Sequence, residues 1–125
     1  MKYKIAMLID DDEDSNFVNN WIIKQEFAEK VLVMESALKA LEYLNNNACP
    51  EKLPDVIFLD LRMPLMDGFD FLNEFAKLSD VVLKKCKIIV LSSSFDKRDY
   101  DRAVNNKYVF QYLIKPINID EVAQI

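Results

Sequence analysis

The chain has 125 residues, a length that fits one domain and is too short for two independent cores. Hydrophobic residues make up 51% and charged residues 30%, a composition typical of globular proteins that excludes a disordered or fibrous chain. The net charge of −5 argues against direct nucleic-acid contact, for which we expect a second domain to be needed, and the absence of histidine excludes Ser-His-Asp catalysis, histidine-ligated zinc and a phosphohistidine on this chain.

The first predicted elements are a strand, a helix and a second strand. The runs YKIAMLI (3–9) and VLVM (31–34) are nearly continuously apolar, as strands covered by helices on both faces are. Helical spacing between them predicts a helix with one apolar face. That face consists of Phe17, Val18, Trp21 and Ile22.

In the middle of the chain, the spacing of apolar residues predicts a helix, a strand and another helix. The first of these helices has Ser36 as its N-cap, and the second follows Asp67, another residue type that caps helices. The strand between them is VIFL (56–59). The apolar faces of the two helices are Ala37, Leu38, Leu41 and Leu44, and Phe71, Leu72, Phe75 and Ala76.

The last part of the chain predicts the strands KIIVL (87–91) and VFQYLI (109–114) around a fourth helix, DKRDYDRAVNN (96–106). This helix is mostly polar and can bury only Tyr100, Ala103 and Val104, so we expect it to be the least firmly packed helix. A short terminal helix, NIDEVAQI (118–125), begins like a capping box.

This alternation predicts one doubly wound α/β domain over residues 1–125, with a five-stranded parallel sheet and helices on both faces. No apolar run approaches the roughly 20 residues of a membrane span, and the amino terminus lacks a signal peptide's cleavage region, so we expect a cytoplasmic protein without membrane contact. The cysteines Cys49 and Cys86 have no metal-ligand spacing and are predicted to be reduced, structural thiols.

Polar side chains follow the predicted strands at their carboxyl ends. Asp10 and Asp11 follow the first strand, Asp60 the third, Ser92 the fourth and Lys115 the fifth. In open parallel sheets the ligand site forms outside these ends. An acidic run such as DDDED is more often a solvated loop, but its position at a strand end favours a site.

The clustered carboxylates predict a hard divalent cation. Two carboxylates about 4 Å apart repel by roughly 4 kcal/mol at an effective dielectric constant near 20, and a metal ion offsets this cost. Carboxylate oxygens with retained waters suit Mg²⁺. Mg²⁺ beside a lysine and a hydroxyl is typical of phosphoryl transfer, in which Asp60 can be the nucleophile.

Four stretches in order, LIDDDED, FLDLRMPLMDG, VLSSS and YLIKP, carry a family resemblance. The set resembles the receiver domain of bacterial two-component response regulators across essentially the whole chain. The resemblance implies a flavodoxin-like sheet with strand order 2-1-3-4-5. It also implies that Asp60 is the phosphoacceptor and that Mg²⁺ is bound by Asp10, Asp11, Asp60 and the backbone carbonyl of Arg62.

The resemblance also implies roles around the phosphoryl group. Ser92 would donate a hydrogen bond to it, Lys115 would pair with it, and Pro116 would follow a cis peptide bond. Tyr112 would be the aromatic switch residue that moves together with Ser92. Arg62 and Ser94 occupy positions that differ among receivers and that are thought to adjust the lifetime of the phosphoryl group.

The predicted function is therefore a stand-alone signalling switch, not an enzyme, although it catalyses its own phosphorylation and dephosphorylation. The donor would be the phosphohistidine of a sensor histidine kinase or a histidine phosphotransfer protein. The signal would pass to a downstream protein through the fourth helix, the fifth strand and the terminal helix. Two alternatives stay open: a small haloacid-dehalogenase-type phosphatase with Asp10 as nucleophile and Asp12 as acid/base, and a phosphorylation-independent adaptor.

Overall fold

The computed structural model describes residues 2–93 and 95–123, and in these ranges helices connect five successive strands, with two helices in a row between the third and fourth strands. The strands are β1 (Tyr3–Ile9), β2 (Ala28–Met34), β3 (Val56–Asp60), β4 (Lys87–Ser92) and β5 (Val109–Ile114). The helices are α1 (Glu13–Glu26), α2 (Ala37–Asn46), α3 (Gly68–Phe75), α4 (Asp80–Lys85) and α5 (Lys97–Val104), and a 3-10 helix covers Ile119–Glu121.

The sheet is parallel throughout, with the strand order β2-β1-β3-β4-β5. This is the flavodoxin-like doubly wound order, and it confirms the predicted fold class. β3 and β4 each extend one residue beyond the predicted runs, so that Asp60 and Ser92 are the last residues of their strands. β2 begins at Ala28, earlier than predicted, because its edge position leaves the polar residues Glu29 and Lys30 in solvent.

Two apolar clusters cover the two faces of the sheet. One joins the sheet to α2, α3, α4 and α5, with residues such as Phe71 and Val82 at its centre. The other joins the sheet to Ile23 of α1 and to Ile117 after β5. The three central strands are buried between these clusters, and their carboxyl ends therefore keep fixed relative positions.

The apolar face predicted for α1 is the wrong face. Phe17 is 77% exposed and Trp21 62% exposed, whereas Asn16, Asn19 and Ile23 face the sheet. The polar residues can be buried there because Nδ2 of Asn16 and Oδ1 of Asn19 find hydrogen-bond partners at the end of the sheet, although Oδ1 of Asn16 has none in the described part of the chain. The apolar periodicity of α1 therefore marks a solvent-facing surface.

The predictions for α2 and α3 are largely confirmed. The Ser36 hydroxyl caps α2 by accepting a hydrogen bond from the backbone of Lys39. Asp67 and Asp70 form a capping box at the start of α3. The buried face of α2 is displaced by part of a turn, however, because Ala40 is buried and Leu38 is mostly exposed.

α4 was not predicted, because its six residues are too few to show a helical period. α5 buries only Ala103, while Tyr100 and Val104 are partly exposed. Side-chain contacts with other elements hold α5: Asp99 forms an ion pair with Arg62 of the β3–α3 loop, and Arg102 stacks on the ring of Phe69.

The predicted terminal helix is reduced to a 3-10 turn. Asn118 accepts a hydrogen bond from the backbone of Asp120 and so begins this turn, and Gln124 and Ile125 lie outside the described residues. None of the helices in the described ranges has the length and apolar character of a membrane span. Cys86 is buried, and burial raises the pKa of its thiol to about 12, as expected of a structural cysteine.

Candidate functional site

The register of the sheet brings the predicted site residues to one edge. Ile9 of β1 lies opposite Leu59, so Asp10 and Asp60 follow side by side. Asp60 lies opposite Leu91 of β4, and the next residue, Ser92, lies opposite Ile114 of β5. Lys115 is the residue after Ile114. The convergence predicted from the strand ends is therefore present.

Three carboxylates meet at this edge. One oxygen each of Asp10, Asp11 and Asp60 lies within 4.8 Å of the other two. Asp10 is 1% exposed and Asp60 7% exposed, whereas Asp11 is open to solvent. This gives a hard-oxygen donor set with one accessible side, which fits a divalent cation such as Mg²⁺ that retains part of its water shell.

The Lys115 ammonium compensates part of this negative charge. Its Nζ lies 2.5 Å from Oδ2 of Asp10 and 3.5 Å from Oδ1 of Asp60. The backbone N–H of Lys115 donates to the carbonyl of Ser92 at 2.8 Å, and the peptide bond to Pro116 is cis. The lysine thus lies between the two buried carboxylates, on a loop joined to the end of β4.

The pKa of Asp60 is raised from 3.8 to about 6, mainly by burial and also by the neighbouring Asp10 carboxylate. The Lys115 ammonium and a hydrogen bond from the backbone N–H of Arg62 act in the opposite direction and limit the rise. The net effect of these interactions is that Asp60 is protonated more readily than an ordinary aspartate. The pocket therefore holds excess negative charge at neutral pH, which is the condition under which a bound divalent cation stabilises the ionised carboxylates.

Arg62 faces two ways. Its backbone N–H bonds to Asp60, and its guanidinium forms the ion pair with Asp99 at the start of α5. The Arg62 carbonyl as a metal ligand stays a prediction. Ser94, predicted to adjust the lifetime of the phosphoryl group, lies outside the described residues.

Tyr112 lies in β5 opposite Val90 and belongs to an aromatic cluster with Phe95 and Tyr100. The ring centroids of Tyr100 and Tyr112 are 5.2 Å apart, in an edge-to-face arrangement. The Tyr112 hydroxyl is buried and finds no hydrogen-bond partner among residues 2–93 and 95–123. Ser92, the other predicted switch residue, is buried at the end of the neighbouring strand.

Gly68 is a site residue whose role the sequence did not reveal. A Cβ at this position would lie 2.7 Å from the carbonyl oxygen of Asp60 and 2.8 Å from Cα of Leu61. Only glycine allows the start of α3 to pack this closely on the end of β3. The signal available in the sequence was that Gly68 is the single glycine of the chain.

Two asparagines of α1 were also missed. The Asn16 amide donates to the carbonyl of Asp10 at 2.8 Å, and Asn19 Oδ1 accepts from the backbone N–H of Ile117 at 3.2 Å. Both side chains are buried. No sequence signal separates them from the neighbouring Asn20, because all three look like polar residues of a solvent-facing helix surface.

A groove of about 320 Å³ leads to the site from the side of α1. Val18 and Asn19 of α1 form one wall, and Ser93, Lys115 and Pro116 form the other. The pocket edge is therefore accessible to another molecule beside Lys115.

The family model for the response regulator receiver domain matches residues 6–125. A solved structure described as a two component response regulator from Cytophaga hutchinsonii is 30% identical, with a TM-score of 0.87 over 96% of this chain and 91% of that chain. The family match thus includes β2 to β5, the second half of β1 and the whole carboxylate cluster.

Curated relatives are similar over shorter stretches. The probable methanogenesis regulatory protein FilR2 of Methanothrix harundinacea (strain 6Ac) is 30% identical over 97 residues, which are 77% of this chain and 61% of that protein. The transcriptional regulatory protein HptR of Staphylococcus aureus (strain N315) is 37% identical over 65 residues, which are 52% of this chain and 23% of that protein. The match spans less than two thirds of either relative.

Proposed function

The chain belongs to the response regulator receiver domain family, and from this premise we propose that it is a phosphorylation-dependent signalling switch whose phosphoacceptor is Asp60. The donor is the phosphohistidine of a sensor histidine kinase or of a histidine phosphotransfer protein. The observation that carries the proposal is the meeting of Asp60 with Asp10, Asp11 and Lys115 at the carboxyl edge of the sheet.

In the proposed reaction a carboxylate oxygen of Asp60 forms a bond to phosphorus while the phosphorus–nitrogen bond to the donor histidine breaks. Lys115 then pairs with a phosphoryl oxygen, and the Ser92 hydroxyl donates a hydrogen bond to another. Both interactions favour the transferred group because charge stabilisation supplies most of the catalysis in phosphoryl transfer.

Asp10, Asp11, Asp60 and the carbonyl of Arg62 would hold Mg²⁺ in this proposal. When bound, the ion would neutralise charge on the phosphoryl oxygens. The close approach of the three carboxylates supports this assignment, and the pKa of Asp60, raised by burial and by the Asp10 carboxylate despite Lys115, agrees with it.

The output proposed is a change in the surface made by α5 and β5. Ser92 and Tyr112 are the switch residues, and the rings of Phe95 and Tyr100 contact Tyr112, so a rotation of Tyr112 would alter an exposed aromatic surface. The small buried face of α5, which consists of Ala103 alone, supports this choice, since elements that move are drawn from the less stable parts of a fold. A downstream protein in the cytoplasm would read the change.

The two alternatives predicted from the sequence have less support. In the phosphatase alternative Asp12 is the acid/base, but its carboxylate accepts a hydrogen bond from the backbone of Asp14 as the N-cap of α1. A phosphorylation-independent adaptor would have no use for Lys115 between two buried carboxylates. Self-catalysed phosphorylation and dephosphorylation are part of the switch, and turnover of another substrate is not proposed.

The test is the intact mass of the protein after incubation with acetyl phosphate, with and without Mg²⁺, for the wild type and for Asp60→Asn. We expect the wild type to gain one phosphoryl group only with Mg²⁺, and Asp60→Asn to gain none. Asp101→Asn, an isosteric change of an exposed α5 carboxylate paired with Lys97, is the matched control and should behave as the wild type. Equal labelling of Asp60→Asn would refute the proposal.

A further inference from the structure

The buried face of α1 is polar where it meets the site. Asn16 is 7% exposed and Asn19 1% exposed. Asparagine is seldom buried without a specific hydrogen-bonding role, because an unpaired buried amide costs free energy. The two residues are three positions apart and therefore neighbours on one helix face.

Asn16 holds the backbone of Asp10. Its Nδ2 donates to the Asp10 carbonyl at 2.8 Å, while the Asp10 N–H donates to the carbonyl of Met34 at 3.1 Å. Both backbone groups of Asp10 are thus fixed, one by α1 and one by β2. The Asp10 carboxylate also accepts from the N–H of Asp12 at 3.0 Å, which limits its rotation.

Asn19 holds the loop that carries Lys115. Its Oδ1 accepts from the N–H of Ile117 at 3.2 Å, and its Nδ2 donates to the hydroxyl of Ser15 at 3.3 Å. At the other end of the loop, the N–H of Lys115 donates to the carbonyl of Ser92 at 2.8 Å. The loop is therefore fixed on both sides of the cis peptide bond, and Asn19 supplies one of the two attachments.

We propose that Asn16 and Asn19 are positioning residues with separate tasks: Asn16 places Asp10 for metal binding, and Asn19 places Lys115 for the phosphoryl group. This inference rests on the proposed function of the site. Because both asparagines belong to one helix, α1 sets the distance between the metal-binding carboxylate and the ammonium. An apolar helix face could support the sheet equally well, but it could not hold these two loops.

The separate tasks predict separate defects. Loss of a hydrogen bond that orients a metal ligand typically weakens metal binding by about 10- to 100-fold, so Asn16→Leu should raise the Kd for Mg²⁺ by about 10-fold. Its phosphorylation rate at saturating Mg²⁺ should stay within about threefold of wild type.

Asn19→Leu should have the converse effect. Small displacements of a positioned group can cost up to about 100-fold in rate, so its phosphorylation rate at saturating Mg²⁺ should fall by about 10-fold. Its Kd for Mg²⁺ should change by no more than about threefold, because Asp10 keeps its contacts with Asn16. The amide of Ile117 should exchange its hydrogen faster in this variant alone.

Asn20→Leu is the matched control. It makes the same chemical change on the same helix, and the Asn20 Oδ1 has no hydrogen-bond partner in the described part of the chain. Neither the Kd for Mg²⁺ nor the phosphorylation rate should change. If leucine prevents folding at position 16 or 19, Asn16→Ala and Asn19→Ala remove the same hydrogen bonds with a smaller side chain.

The experiment combines calorimetric Mg²⁺ titration, the rate of phosphorylation by acetyl phosphate, and hydrogen exchange at Ile117. Separate defects at positions 16 and 19, with wild-type behaviour at 20, establish the positioning roles. Equal defects in both measurements for all three variants would mean that α1 is only structural and would overturn the inference. If the wild type itself gains no phosphoryl group, the proposed function fails, whereas the titration and exchange data still decide whether the asparagines hold Asp10 and the loop.

Discussion

Asp60 is ionised at neutral pH although burial and the Asp10 carboxylate disfavour its negative charge, and this lowers the free energy of unfolding. Its pKa of about 6 in the folded protein exceeds the ordinary value of 3.8, so the folded state binds the proton more tightly than the unfolded state. Without metal, the contribution of Asp60 to the free energy of unfolding therefore falls as the pH rises through the window between about 4 and 6.

We predict that Asp60→Asn stabilises the metal-free protein by about 3 kcal/mol at pH 7.5, because the pKa of Asp60 is raised from 3.8 to about 6 and one pKa unit corresponds to about 1.4 kcal/mol. The gain should shrink as the pH falls from 6 to 4, where wild-type Asp60 takes up its proton. Urea unfolding at several pH values measures this. A gain that is constant with pH would show that the pKa of Asp60 is not raised.

Gly68 fixes how closely α3 packs on the end of β3. Gly68→Ala places a Cβ against the backbone of Asp60 and Leu61, where no side chain can move aside, so it should destabilise the fold by about 1 to 3 kcal/mol. Asn73→Ala, an exposed position in the same helix, is the control and should not destabilise. Unfolding curves that leave Gly68→Ala as stable as wild type would contradict the close packing of α3 on β3.

The sequence predicted some of the site residues and missed others. Asp10, Asp60 and Lys115 could be placed at the site because each follows an apolar strand run. The roles of Asn16 and Gly68 could not, since a hydrogen bond to a distant carbonyl and a close backbone approach depend on tertiary structure. Composition and periodicity contain no information about either contact.

For the helices, the capping residues were more predictable from the sequence than the buried faces. Ser36 and Asp67 cap helices through interactions within four residues of sequence, so the local pattern suffices. The buried face of α1 depends on what the helix packs against. Apolar residues such as Phe17 and Trp21 lie on its solvent-facing side, so the apolar periodicity predicted the wrong buried face. Helix α4 was missed for lack of length.

The orientation of α1 leads to a direct comparison. Ile23→Ala should destabilise the protein by about 3 kcal/mol, because it removes a fully buried side chain from the apolar cluster beneath α1. Trp21→Ala, which removes a larger but mostly exposed side chain, should change the stability by no more than about 0.5 kcal/mol. Thermal and urea unfolding measure both. A larger loss of stability in Trp21→Ala than in Ile23→Ala would show that the face predicted from the sequence is the buried one.

At the scale of the whole molecule, the alternation of strand and helix patterns predicted the doubly wound sheet correctly. Topological rules restrict such a chain to few arrangements, and the near-continuous apolar strands indicated that both sheet faces are covered. The strand order came from the family resemblance. It brings together Asp10 and Lys115, which are 105 positions apart in the sequence, and so builds the site.

Metal binding should stabilise the whole fold, because the carboxylate cluster exists only in the folded state. At a Mg²⁺ concentration about 100 times its Kd, the stabilisation is about 2.7 kcal/mol, which should raise the Tm by about 10 °C at pH 7.5. The rise should be smaller at pH 5, where Asp60 is mostly protonated. Asp11→Asn should weaken it, and an equal rise in that variant would contradict the assigned ligands.

In the proposed function the phosphoryl group is carried by Asp60 and by no other carboxylate of the cluster. Borohydride reduction of the phosphorylated protein converts an acyl phosphate to an alcohol and so turns the modified aspartate into homoserine, which tandem mass spectrometry locates in the sequence. We predict homoserine at position 60 alone. Homoserine at position 10 would overturn Asp60 as the phosphoacceptor and favour the phosphatase chemistry in which Asp10 is the nucleophile.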